Sequence, residues 1–368
     1  MSFPCAPPAP YIAGVTVVPP VIPPPLSLPM LDIGNIVIEE PPAPDPPVPV
    51  PSQILPRFAS DFPLVDPWVR LWLAMLARAS YSGSDGIVRS VAYLACGDDA
   101  TVTFVPNDNT LNPGYIIIRL ARGAVAVVSG TTNLGQWLEQ IFSNTLVPLN
   151  KLTHPGYRAG RTMLAYQTAA QRVWAALAAV PNNDQVLWAG HSMGGAVAEL
   201  LHAAQGQPDL NGRVPSRCCT FAAPKAGDAA LNNLMRTGSQ VFARFIIADD
   251  VVPQLPPDLA LPLMPGVPAA LAAAAANWSL FAQPGGNLSV QANGVAQFES
   301  LALLPLLIAR CLLAAAANQP VPIFDAHSLR AYTARFWRAA ILAPFPNNFR
   351  TNSQAFALTL NALTETDL

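Results

Sequence analysis

From about residue 60 onward, the pattern of apolar and polar positions predicts a series of regular elements. Pro67 to Ala79 spaces its apolar residues as an amphipathic helix. Asp66 serves as its N-cap, and Pro67 takes the first helical position, where a missing N–H costs nothing. Val102–Val105, Tyr115–Leu120 and Ala124–Val128 read as strands, the first two separated by Asn-Asp-Asn and Asn-Pro-Gly turn signals. Gly160–Ala179 predicts a helix, Val186–Ala189 a short buried strand and Ala196–Ala204 a further helix. Cys218–Ala222 and Val241–Ala248 predict two more strands. Strands alternating with helices predict an α/β fold with a mostly parallel central sheet flanked by helices. No internal repeat is present.

Residues 1–56 follow no such pattern. They hold 18 of the 40 prolines, with runs such as Pro23-Pro24-Pro25 and Pro46-Pro47-Val48-Pro49-Val50-Pro51. Proline fixes φ and removes a backbone donor, so regular helix and central strand are both excluded there. The expectation is a proline-rich extended arm or loose leader over 1–56 and one folded domain over 57–368. A contact between the arm and a partner is a second use of the same composition. The first basic residue is Arg57, and prolines interrupt every apolar stretch before it, which does not read as a signal peptide. The longest apolar stretches, Leu259–Ala276 and Leu301–Ala317, are broken by Pro262, Pro265, Pro268, Pro305 and Arg310. They read as buried helix or groove wall and not as membrane spans. The protein is therefore expected to be cytoplasmic or exported without a classical signal, and not transmembrane. Oligomeric state is not legible.

Composition narrows the function classes. Hydrophobic residues make up 52% and charged residues 11%, so the chain can fill a large core but has little charge to cover its surface. A net charge of −2, with no basic run interleaved with aromatics, argues against a nucleic-acid partner. Five cysteines do not form a disulfide framework, and adjacent Cys218 and Cys219 read as buried strand thiols. No Cys or His cluster completes a metal site.

The chemistry centres on one segment. Gln185-Val186-Leu187-Trp188-Ala189 runs into Gly190-His191-Ser192-Met193-Gly194-Gly195, and Ala196-Val197-Ala198-Glu199-Leu200-Leu201 follows. That is a buried strand, a G-x-S-x-G turn and a helix, the order of a nucleophile elbow. Small residues at 190 and 194 let strand and helix approach, Ser192 is held strained, and the helix N-terminus favours developing negative charge. An ordinary glycine-rich turn is the bland alternative.

This stretch resembles the G-H-S-x-G-G-A core of the class 3 lipases, the fungal-lipase-like family. Thr220-Phe221-Ala222-Ala223-Pro224-Lys225-Ala226-Gly227-Asp228 is similar to that family's T-F-G-x-P-R-x-G segment, with Ala222 for a glycine and Lys225 for an arginine. His154-Pro155-Gly156-Tyr157 resembles its H-x-G-F/Y motif. The resemblance spans roughly residues 100–340 in order and implies an α/β-hydrolase fold.

In that fold the acid and then the histidine follow the serine. Arg244-Phe245-Ile246-Ile247-Ala248-Asp249-Asp250 ends a strand in two carboxylates. The family pattern D-x-V-P implies Asp250 as the acid, with Asp249 the neighbour to be confused with it. Of the four histidines, His191 sits on the elbow, His202 on the following helix and His154 before the serine. That leaves His327 as the base, in Asp325-Ala326-His327-Ser328-Leu329-Arg330-Ala331-Tyr332, which resembles the family's H-x-x-x-x-Y segment. A tetrahedral intermediate also needs backbone donors for its oxyanion. Met193 follows the nucleophile. Ser129-Gly130-Thr131 resembles the family's R-G-T or R-G-S signature and implies Thr131 as the second donor, with Ser129 standing where the family has arginine. Leu134, Trp137, Leu138, Ile141 and Phe142 then share one helix face. The resemblance implies a lid or acyl-groove wall there; a fixed core helix is the alternative. The Pro/Ala/Leu-rich connection from Leu255 to Ala317, uncharged between Leu259 and Phe298, is expected to line an acyl groove or to pack as core helix.

Taken together, the residues predict a serine hydrolase acting on carboxylic esters of lipid-like substrates through an acyl-enzyme, with no metal or organic cofactor. A phospholipase A1, a short-chain esterase or an acyltransferase would use the same residues. A catalytically silent lipid-binding or assembly protein carried by the arm is the rival from another class.

Overall fold

Asp66 begins the described architecture by accepting hydrogen bonds from the Trp68 and Val69 backbone N–H groups at 2.9 and 3.1 Å, which caps helix α1 (Pro67–Ala79). The computed structural model describes residues 66–97, 100–108, 113–120, 123–131, 146–149, 160–177, 185–205, 216–236, 241–247, 250, 252–256, 281–282, 287–290, 296–298 and 327–342. The proline-rich stretch 1–56 lies outside them, as does the segment carrying Leu134, Trp137, Leu138 and Ile141.

Ten strands are present among the described residues. Eight form one sheet in the order β1 (Thr101–Val105), β2 (Tyr115–Leu120), β3 (Gly123–Val128), β6 (Gln185–His191), β7 (Arg217–Phe221), β8 (Val241–Ile246), β9 (Asn287–Val290), β10 (Ala296–Phe298). Pairings from β3 through β9 are parallel, while β1, β2 and β10 join antiparallel at the edges. The remaining two, β4 (Leu146–Pro148) and β5 (Arg161–Met163), form a separate antiparallel pair. This is an α/β-hydrolase fold with a mostly parallel central sheet.

Strand periodicity sorts the core into two layers. Ile116, Ile118, Val125, Val127, Leu187, Ala189, Cys219, Phe221 and Phe245 pack against α1, α2 (Asp85–Cys96) and α6 (Leu329–Leu342). Ile117, Ala124, Ala126, Val128, Trp188 and Cys218 point the other way. They pack against α3 (Leu164–Leu177), α4 (Met193–Gln205) and α5 (Ala229–Arg236). Burial on both faces explains why the strands are near-continuous apolar runs. It also places Cys218 and Cys219, both free thiols, in opposite layers.

The predicted elements fall close to the observed ones, with one correction. The start of the expected Gly160–Ala179 helix is the strand β5, and the helix begins only at Leu164. Gly160 at φ +93° breaks the helical path, its carbonyl accepts the Leu149 N–H at 3.1 Å, and Thr162 bridges Gly227. Tertiary strand partners thus override local helix propensity. No helix among the described residues is long and apolar enough to cross a membrane.

Candidate active site

Strand β6 delivers the chain into a turn at Ser192, and α4 leaves it at once. Ser192 has φ 55°, a left-handed conformation that costs a serine free energy and needs surrounding structure to hold it. That structure is visible. The Ser192 N–H donates to the Phe221 carbonyl at 3.0 Å, and the Ser192 carbonyl accepts from the Gly195 and Ala196 N–H groups at 2.9 and 3.3 Å. A Cβ on Gly190 would collide with the Gly194 carbonyl, and one on Gly194 with the carbonyls of Val128 and Ser129. The close approach of strand and helix therefore requires both glycines. The N-terminus of a 13-residue helix lies immediately after the Ser192 hydroxyl, where its partial positive charge is greatest.

Asp250 follows β8, and His327 stands two residues before α6. They meet: His327 Nδ1 lies 3.1 and 3.0 Å from the two Asp250 carboxylate oxygens. An ionised carboxylate only accepts, so Nδ1 carries the proton and Nε2 keeps its lone pair. Asp250 is almost fully buried and its remaining capacity is filled. The Val252 N–H donates to Oδ1 at 3.0 Å and the Tyr332 hydroxyl to Oδ2 at 3.0 Å. Tyr332 in turn accepts the Ile247 N–H at 2.9 Å. Burial and the neighbouring Asp250 charge push the Tyr332 phenol well above its ordinary pKa, so it stays a donor.

His191 joins these groups to the elbow. Its Nε2 is 2.8 Å from the His327 carbonyl oxygen, and the two imidazole rings lie 4.8 Å apart. Since a carbonyl cannot donate, His191 carries its proton on Nε2, and Nδ1 accepts from the Tyr81 hydroxyl at 2.8 Å. Burial and the proximity of His327 hold the His191 pKa well below the usual value, so it stays neutral. The structure thus brings Asp250 and His327 into contact and sets the chain neighbour of Ser192 against His327. Among the described residues, no hydrogen bond closes between the Ser192 hydroxyl and His327. Such contacts are often long until substrate is bound.

The loop after β3 abuts the elbow. A Cβ on Gly130 would sit 2.8 Å from the Ser192 Cβ, so only glycine fits there. The Gly130 N–H donates to the Tyr81 hydroxyl at 2.6 Å, and its carbonyl accepts from Asn107 Nδ2 at 2.8 Å. Ser129 is fully buried, and both its N–H and its hydroxyl donate to the Gly114 carbonyl, at 2.9 and 3.0 Å. Thr131 ends this described loop, and Met193 opens α4 with its side chain buried. Asp249, His154 and the segment of Leu134, Trp137, Leu138 and Ile141 lie outside the described residues.

Residues 125–260, which carry this loop, the elbow and Asp250, match the family model for lipase (class 3). Over these residues the chain is similar to the class 3 lipases. Solved structures similar to it include one titled a fungal lipase, at 16% identity with a TM-score of 0.46, covering 74% of this chain and 96% of that one. Lip2 lipase from Yarrowia lipolytica is 14% identical at a TM-score of 0.42, covering 60% and 78%. Rhizomucor miehei lipase in a propeptide complex is 19% identical at 0.39, covering 51% of this chain and 63% of that chain, under two thirds of its length. No curated protein sequence matches.

A second polar layer lies under the site. Arg244 on β8 and Glu199 on α4 form a fully buried ion pair at 3.4 Å. Thr220 donates its hydroxyl to Glu199 at 3.2 Å, and Arg244 donates to the carbonyls of Ala223 and Pro253. One guanidinium therefore ties α4 to the segments after β7 and after Asp250. Burial raises the Glu199 pKa to about 7 even though Arg244 and Thr220 pull it down. Burial likewise lowers that of Arg244.

The motif reading passes over Tyr81, Asn107, Glu199 and Arg244 as site residues. Tyr81 follows the end of α1 and Asn107 follows β1, both far from the serine in sequence. No spacing rule marks either; only the fold brings them to residue 130.

Proposed function

We propose that this protein hydrolyses carboxylic esters of lipid-like substrates through an acyl-enzyme, with Ser192 as nucleophile, His327 as general base and Asp250 as its orienting acid. The observation that carries this reading is the buried Asp250–His327 pair at 3.0 Å, set against a serine held at φ 55° on a strand–helix turn. In the first step His327 Nε2 takes the Ser192 proton as the oxygen attacks the ester carbonyl carbon. The imidazolium that forms is stabilised by Asp250, which stays ionised. The N–H groups of Thr131 and Met193 accommodate the oxyanion. Collapse breaks the ester C–O bond, the alcohol leaves with the proton from His327, and water then repeats the sequence on the acyl-enzyme.

The proposal is tested with an alkyl fluorophosphonate probe and a p-nitrophenyl acyl ester. The wild type is expected to be labelled on the peptide containing Ser192. Ser192→Ala should lose labelling and turnover while keeping a cooperative melting transition. Turnover retained by Ser192→Ala would refute the assignment. A panel of triacylglycerols, phospholipids and short soluble esters then assigns the substrate class, and product analysis with an added alcohol separates hydrolysis from acyl transfer.

A further inference from the structure

The donor loop of the proposed site has its own brace. We propose that Asn107, assisted by Tyr81, is a positioning residue that holds the Gly130–Thr131 peptide so that the Thr131 N–H faces the reacting carbonyl. This rests on the reading above, in which that N–H receives the oxyanion.

A trans peptide is planar, and its C=O points opposite to the N–H of the same unit. The carbonyl of the Gly130–Thr131 peptide is held by Asn107 Nδ2 at 2.8 Å. Fixing that oxygen fixes the direction of the Thr131 N–H, which must leave the opposite side of the plane. The carbonyl has no donor of its own, so the Asn107 amide presents its NH2 there. The peptide before it is held equally. The Gly130 N–H donates to Tyr81, and Tyr81 donates to His191 Nδ1. Two side chains from separate elements therefore restrain both peptide units around a glycine, the residue type with the greatest freedom to rotate. Gly130 also packs against Ser192, so a rotated peptide would be misplaced beside the nucleophile itself.

The brace also answers a question raised by Ser129. Ser129 stands where the resemblance places an arginine, and its hydroxyl donates to the Gly114 carbonyl, just before β2. Asn107 and Tyr81 supply support beyond it. A hydrogen bond accepted by the carbonyl polarises the peptide and strengthens its N–H as a donor, so Asn107 acts on donor strength as well as direction. Because an oxyanion exists only after attack, loss of the brace should appear in kcat and leave KM nearly unchanged.

The test compares wild type, Asn107→Leu, Asn107→Asp and Tyr81→Phe on a soluble p-nitrophenyl ester. A boronic acid inhibitor, whose tetrahedral adduct places an oxygen in the donor site, is measured in parallel. Removing one donor outright costs roughly a hundred- to a thousandfold in kcat, and a misaimed donor should cost about ten- to a hundredfold. We expect that loss in the Asn107 variants and a smaller one in Tyr81→Phe. The boronate inhibition constant should weaken by about the same factor, with KM within about twofold of wild type. Should Asn107→Leu fail to fold, Asn107→Asp decides, because it keeps the side-chain shape while replacing the donor with acceptor oxygens. Variants that keep wild-type kcat and boronate affinity overturn the brace while leaving the ester-hydrolase reading intact. A loss confined to KM or to the melting temperature, with boronate affinity unchanged, overturns it too. A wild type that neither turns over esters nor takes the fluorophosphonate probe defeats the functional reading, and the brace falls with it.

Discussion

At the scale of single residues, the most constrained side chain in the site is Asp250. Its carboxylate is buried and meets His327, the Val252 N–H and the Tyr332 hydroxyl. Each of these partners donates a hydrogen bond to it. The carboxylate also dictates which histidine nitrogen bears the proton. Asp250→Asn should reverse that choice, because an amide can present its NH2 to Nδ1 and leave Nε2 protonated. The expected result is a drop in kcat of about ten-thousandfold with the fold retained. Ester turnover against pH, together with far-UV circular dichroism, checks this; near wild-type turnover would show that Asp250 does not orient the base. His191 shows the same logic in a different place. It is held neutral by burial and used as a connector, with one nitrogen donating to the His327 carbonyl and the other accepting from Tyr81.

At the scale of elements, the elbow depends on how near α4 comes to β3. The Gly194 backbone lies against the carbonyls of Val128 and Ser129, leaving no room for a methyl group. Gly194→Ala should therefore cost about 3 kcal/mol of folding stability or more, the upper range for overpacking, because backbone cannot move aside as a side chain can. Urea unfolding monitored by tryptophan fluorescence measures it, and a change below about 0.5 kcal/mol, the range of neutral surface substitutions, would contradict the steric account. The Arg161–Met163 segment teaches the converse lesson. Its residues have helical character, yet they pair as β5 because β4 and Gly227 offer backbone partners there.

At the scale of the whole molecule, stability is tied to pH through groups far from solvent. His202 on α4 is fully buried, with its Nδ1 2.6 Å from the Ser216 hydroxyl, and burial lowers its pKa to about 3. Above pH 6.5, its ordinary value, neither the folded nor the unfolded chain is protonated there, and the stabilising contribution is complete. As pH falls from 6.5 toward 3, the unfolded chain binds a proton that the folded protein refuses, and stability declines. The slope from one such group is at most about 1.4 kcal/mol per pH unit. Glu199 acts in the opposite sense. Its folded pKa of about 7 lies above the ordinary 4.5, so its contribution is full below 4.5 and is lost as pH rises to 7. The two effects oppose each other between pH 6.5 and 4.5, so His202→Gln should make stability rise more steeply as pH falls through that window and should flatten the decline between pH 4.5 and 3. Urea unfolding at steps across that range tests it, and equal slopes in variant and wild type would show that His202 does not titrate in this way.

The chain pattern by itself determined the layered α/β architecture, because strands buried on both faces must be apolar runs and helices covering them must be amphipathic. It also marked Ser192, since the tight turn admits few residue types at 190 and 194. Asp250 and His327 could be named from chain order and family resemblance. That they touch is a fact of tertiary structure, because 77 residues separate them and only the sheet order brings the end of β8 to the start of α6. Asn107, Tyr81 and the Glu199–Arg244 pair were decided wholly by the fold. Their partners are backbone groups or distant side chains, and a hydrogen bond to a peptide leaves no periodicity or motif in the residues that make it.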